Sequence, residues 1–248
     1  ETSSPISTRT SHSTMASVQA VTFGAGLPGW EVGAKTLPAI IVLQEWWGVT
    51  ETIKKQAALI AEQGGFRCLV PDLYKGKLGV TAEEAHHLMD NLNFKDAVGE
   101  LGQAVAYLKE TGSPKVAITG FCMGGALSFA AAQHLPDLCC AAPCYGIPPA
   151  EYFQIEQIKI PLLGIFGGKD AHTGFSDPDS ANAAAKKISN AGGNIDMVIY
   201  PSAPHAFLNQ LIPEAIAETK ERQGCLATDE DLQAAFAHLM AFMKKHLH

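Results

Sequence analysis

Along the chain, short apolar runs alternate with longer amphipathic stretches. Val18 to Phe23 (VQAVTF) alternates apolar and polar positions, which predicts a strand at a sheet edge. Ala39 to Gln44 (AIIVLQ) is apolar up to its last residue, as expected of a strand buried on both faces. Phe66 to Tyr74 (FRCLVPDLY) reads as a strand leaving at Pro71. Lys115 to Phe121, Leu138 to Gly146, Ile160 to Gly167 and Ile195 to Pro201 read as four more strands. Between them, helical spacing predicts Thr50 to Glu62, stopped by Gly64 and Gly65. Thr81 with Glu84 three residues on is a capping-box pattern that starts a second helix. Asp96 to Lys109, an Ala-rich stretch ending near His134, Ser180 to Ala191 and Asp229 to Lys245 complete the predicted helices.

Strands alternating with helices of ten or more residues predict an α/β fold, a mostly parallel sheet with helices on both faces. Ligands of such sheets bind beyond the carboxyl ends of the strands. Polar residues just after strands are therefore the ones to examine. No linker or repeat interrupts the pattern, so residues 15–248 are expected to form one domain. Residues 1–14 are rich in Ser and Thr without periodicity and read as a disordered tail, a tag or the remnant of a transit peptide.

Composition narrows the partners. Of the 248 residues, 47% are hydrophobic and 17% charged, which is ordinary for a globular domain. No apolar run approaches the roughly 18 residues of a membrane span, so no membrane partner is expected. The net charge of −7 argues against nucleic acid. The six cysteines form no C-x-x-C pair and no Cys/His cluster with zinc spacing, so no metal, no cofactor and no disulfide framework are expected. The expected location is cytoplasmic, or an organelle if residues 1–14 are a transit remnant. A monomer or a homodimer is expected.

Three residues after strands carry the candidate chemistry. Cys122 follows KVAITGF, in GFCMGG, which has the frame of the nucleophile elbow G-x-S-x-G with sulfur in place of oxygen. Asp170 follows PLLGIFGGK and His205 follows IDMVIYPSAP. Nucleophile, acid and histidine stand in the chain order of the α/β-hydrolase fold. In that arrangement His205 takes the thiol proton, and Asp170 orients the imidazole and stabilises its charged form. The helix after Cys122 directs its N–H groups and positive end at the sulfur. Glu45, in LQEWWG, is a carboxylate at a strand end flanked by Trp46 and Trp47. The loop it occupies is where the second oxyanion N–H is expected. His172 is expected to be solvated or at the pocket rim.

With QEWWG, PDLY, GFCMGG, GGKD and PHAF in place from Pro38 onward, the chain resembles the dienelactone hydrolase family, the carboxymethylenebutenolidases. The resemblance implies an α/β-hydrolase fold and a Cys122–His205–Asp170 triad that opens cyclic enol esters without a cofactor. By the same likeness Glu45 holds the resting thiol and is displaced by substrate. It also implies an oxyanion hole from the backbone N–H groups of Trp46 and Met123, and a pocket lined by Trp47, Tyr145 and Phe207. Bacterial relatives grip a substrate carboxylate with two arginines. Here the matching positions hold Asn209 and Ala82, while Arg67 and Arg222 are expected elsewhere. A buried carboxylate without a cation is costly. A neutral or differently anchored small lactone or ester is therefore expected, with Lys75 or His86 as substitute anchors. A general esterase or thioesterase, and a non-catalytic ligand-binding protein, are the alternative readings.

Overall fold

The computed structural model describes residues 17–248, so the tail expected at residues 1–14 lies outside the described residues. Its centre is one eight-stranded sheet: β1 (Gln19–Phe23), β2 (Leu27–Val32), β3 (Ala39–Leu43), β4 (Arg67–Pro71), β5 (Val116–Phe121), β6 (Leu138–Cys144), β7 (Leu162–Gly167) and β8 (Ile195–Tyr200). The spatial order is β1-β2-β4-β3-β5-β6-β7-β8. β1 pairs antiparallel with β2, and β2 antiparallel with β4. Every pairing from β4 onward is parallel. β1 lies at the edge, as its alternating pattern predicts, and all residues of β3 and β5 are buried.

The chain runs outward from β3 to β4, then returns to place β5 on the other side of β3. This reversal opens a crevice beyond the carboxyl ends of β3 and β5, where α/β sheets bind ligands. Gln44 to Trp47 follow β3 and Cys122 follows β5, so both expected loops meet at that crevice.

Among the described residues seven α-helices accompany the strands: α1 (Glu51–Gly64), α2 (Ala82–Asp90), α3 (Phe94–Glu110), α4 (Met123–His134), α5 (Pro178–Asn190), α6 (Ile216–Gln223) and α7 (Asp229–Leu247). Two groups pack against each other, α1 with α7 and α3 with α4. Thr50 caps α1 by accepting from the Ile53 N–H, and Gly65 closes it in the left-handed conformation at φ 67°. The Thr81–Glu84 capping box of α2 forms as its spacing predicts. α3 begins at Phe94 rather than Asp96, because the Asn93 side chain accepts from the N–H groups of Lys95 and Asp96.

Two elements have no clear pattern in the sequence. β2 contains Pro28 and Gly29 and owes its conformation to pairing on both sides. α6 buries Thr219 alone, so it has no apolar stripe to read. Both matter below: β2 carries Glu31, the partner of Arg67, and α6 forms part of the wall of the cavity that Cys122 lines.

Candidate active site

The nucleophile elbow is built by close packing. A Cβ on Gly120 would lie 2.3 Å from the Gly124 carbonyl oxygen, and one on Gly124 would lie 2.6 Å from that of Gln44. Only glycine lets β5, α4 and the loop after β3 approach this closely. Cys122 itself sits at φ 56°, ψ −116°, a region a non-glycine residue enters only at a cost of roughly 1–3 kcal/mol. Its N–H donates to the Cys144 carbonyl at 3.1 Å, which pins the turn to β6. The sulfur therefore stands at the N-terminal end of α4, whose first turn carries no acidic residue and whose cap has no side-chain bond. Met123 is the first residue of that helix, where the N–H has no intrahelical acceptor.

His205 and Asp170 arrive from the neighbouring strand ends. His205 Nδ1 lies 2.7 Å from Asp170 Oδ2 and 3.1 Å from Ser176 Oγ. With Nδ1 committed, Nε2 is the nitrogen left for the thiol. Both side chains are buried, and Cys122 and His205 line the same cavity. Burial opposes a charge on His205. Charge on Cys122 and hydrogen bonds to Asp170 and Cys122 outweigh it and raise the imidazole to about 10. Burial would likewise raise the Asp170 carboxyl. Hydrogen bonds from His172 and His205, with the charge on the latter, hold it below the usual carboxylate range instead.

Glu45 is half-buried on the cavity wall. Asn209 Nδ2 lies 3.2 Å from each of its carboxylate oxygens, and Gln56 Nε2 lies 3.0 Å from Asn209 Oδ1. Burial raises the Glu45 carboxyl, while His205, Asn209 and Arg222 oppose the rise. Trp46 and Trp47 also line the cavity and meet edge to face, with ring centroids 4.9 Å apart.

Several expected placements change. Tyr145 and Phe207, expected on the pocket wall, are fully buried and do not line the cavity. They form a wall behind the histidine, with the Tyr145 ring 5.2 Å from His205 and 5.8 Å from Phe207. Tyr145 is held at φ 37°, and among the described residues its hydroxyl has no hydrogen-bond partner. Lys75 pairs with Glu100 at 2.8 Å and His86 with Asp90 at 3.3 Å, and neither lines the cavity. Arg67 is fully buried on β4 in an ion pair with Glu31. Arg222 does reach the cavity, carried there by α6. No pattern in the sequence pointed to it, because α6 has no amphipathic stripe.

His172 is at the rim, 55% exposed, but it is not merely solvated. Its Nδ1 lies 2.8 Å from Asp170 Oδ1, so the one carboxylate holds two imidazoles whose centroids are 4.4 Å apart. One donor atom each from Asp170, His172 and His205 fall within 4.8 Å of one another, a spacing that a metal ion can bridge. Here two short hydrogen bonds occupy both oxygens of the carboxylate.

All six cysteines are free, and no helix among the described residues is long and apolar enough to cross a membrane. A sequence model of the dienelactone hydrolase family matches residues 27–244. A relative named "Protein usf", from Aquifex pyrophilus, is 36% identical over 182 residues, 70% of this chain and 78% of the relative. A protein of Aquifex aeolicus named "Putative carboxymethylenebutenolidase" is 34% identical over 183 residues, with the same coverage. Among solved structures, a dienelactone-hydrolase-like promiscuous phosphotriesterase from metagenomic libraries superposes with a TM-score of 0.73. It is 15% identical and covers 94% of this chain and 100% of its own, a likeness of fold alone.

Proposed function

The chain belongs to the dienelactone hydrolase family, and on that premise we propose that it is a cysteine-dependent hydrolase that opens a small enol-lactone or ester through an acyl-enzyme on Cys122. One observation carries the reading. A thiol at the start of a helix shares a cavity with an imidazole that is bonded at 2.7 Å to a buried carboxylate.

The steps follow from that arrangement. His205 takes the proton of Cys122, and the sulfur attacks the carbonyl carbon. The carbonyl oxygen becomes an oxyanion that the backbone N–H groups of Trp46 and Met123 stabilise in this reading. The carbon–oxygen bond of the ester then breaks, and His205 protonates the departing oxygen. This leaves a thioester on Cys122. Water gives a proton to His205 and attacks the thioester, and the expelled thiolate recovers that proton. Asp170 stays ionised and holds the imidazole in one tautomer throughout.

Lactones add a difficulty, since the released alcohol stays tethered and can close the ring again. A leaving oxygen that becomes a stabilised enolate avoids this, so enol-lactones should outpace simple alkyl esters. Glu45 lines the same cavity as Cys122, and Asn209 is the partner that holds its carboxylate until substrate enters.

The test is turnover of an enol-lactone by wild type, Cys122→Ala and Cys122→Ser. A hydroxyl at this position is poorly ionised in a site built around a thiol. The serine variant should lose activity by about 10²-fold or more. Comparable turnover by the serine variant would contradict the proposal.

A further inference from the structure

The cavity before Cys122 is much larger than a single lactone ring requires. It encloses about 640 Å³, within the range that takes drug-sized ligands. Its apolar lining comes from Trp46, Trp47 and Phe175 with Val80, Ala82 and Met89 of the α2 region. Val80 is 80% exposed, so this wall continues to the cavity mouth.

α6 adds Glu218, Thr219 and Arg222 to the lining, next to Trp47. Among the described residues Arg222 is the single Lys or Arg lining the cavity, and its charge is already engaged. Its guanidinium lies 3.6 Å from the Trp47 ring centroid. It also pairs with Glu218 one helical turn earlier. Glu45 and Glu218 face the same space. A carboxylated substrate can reach Arg222 only by displacing Glu218 from it, and His205, the other cationic group of the lining, is already bonded to Asp170. A neutral aromatic body meets no such opposition and gains the apolar wall.

We infer that the substrate is an uncharged ester or lactone carrying an extended aromatic or apolar body, seated between the Trp47–Arg222 stack and the α2 wall. This rests on the cysteine-hydrolase reading above and names the substrate class for that site. Arg222 acts here as the flat cationic face that fixes Trp47, and Glu218 neutralises it against anionic ligands.

Matched substrates test it. Methyl 4-acetoxybenzoate and 4-acetoxybenzoate differ in one charge, and 1-naphthyl acetate adds a second ring to phenyl acetate. Wild type should have at least tenfold higher kcat/KM for the methyl ester than for the carboxylate. Glu218→Gln frees Arg222 and should shift that ratio at least fivefold toward the carboxylate. Trp47→Ala should lower kcat/KM for the naphthyl ester more than for phenyl acetate. Equal rates for the charged and neutral pair, or a preference for the carboxylate that Arg222→Gln removes, would overturn the inference and leave the nucleophile assignment standing. Turnover retained by Cys122→Ala in the same assay strikes the nucleophile assignment instead. No turnover of any of the four esters overturns both.

Discussion

Two clusters of buried charge sit in this molecule, and they are built on opposite terms. Arg67, fully buried on β4, makes paired hydrogen bonds to Glu31 at 3.1 and 2.9 Å. It also reaches the Leu108 carbonyl, Thr111 and Ser113, and Tyr107 donates to Glu31. None of Glu31, Arg67 and Tyr107 has a positive φ. Beyond the other strand ends, Cys122, Tyr145 and Ala206 stand at φ 56°, 37° and 55°. There, among the described residues, the Tyr145 hydroxyl lacks a partner, and burial pushes the Glu45 carboxyl up. Saturated hydrogen bonding around a buried ion pair locks the fold. Strain and incomplete pairing leave the second cluster free to change its protonation and its contacts.

Replacing one group in each cluster breaks the comparison most directly. His205→Gln should lower kcat/KM per folded molecule by about 10³-fold or more. Wild-type activity should also fall as pH rises through about 10, where His205 loses its proton. Arg67→Met should do the reverse, costing about 3–5 kcal/mol of stability by stranding Glu31. Its activity per folded molecule should stay near wild type. A large activity loss in folded Arg67→Met would erase the distinction between the clusters.

Glu45→Gln sharpens it further. The Glu45 carboxyl is raised above its unfolded value, so the folded chain binds more protons and loses stability as pH rises through that window. The isosteric amide removes that dependence and should raise the melting temperature at neutral pH. It should also make Cys122 of the free enzyme alkylate faster with iodoacetamide. A lowered melting temperature would contradict the cost assigned to Glu45. The smallest effect belongs to His172→Gln. Losing one of two imidazoles from Asp170 should change kcat/KM by about threefold and reshape the acid limb of its pH profile. An unchanged profile would make the 2.8 Å contact idle.

What was legible in the sequence follows the same division. Cys122, Asp170, His205 and Glu45 each stand just after a strand with a strong apolar signature, so their convergence follows from the sheet. Arg222 and Asn209 act through distant or weakly patterned neighbours. Arg222 depends on α6, which has no apolar stripe, and Asn209 faces Glu45 across 164 positions of chain. Tyr145 and Phe207 were expected on the pocket wall from the family resemblance. Their rings turn inward and pack behind His205 instead. Strand ends fix where the backbone arrives, while tertiary packing decides which side of it each side chain occupies.

The central claim is a covalent one, and it can be weighed. Acid quenching during turnover of methyl 4-acetoxybenzoate, followed by digestion and mass analysis, should find an acetyl group on the peptide containing Cys122. The adduct should accumulate further in Asp170→Asn, where deacylation is slowed. Steady-state turnover with Cys122 unmodified, or an acetyl group on another side chain that forms at the catalytic rate, would contradict the account.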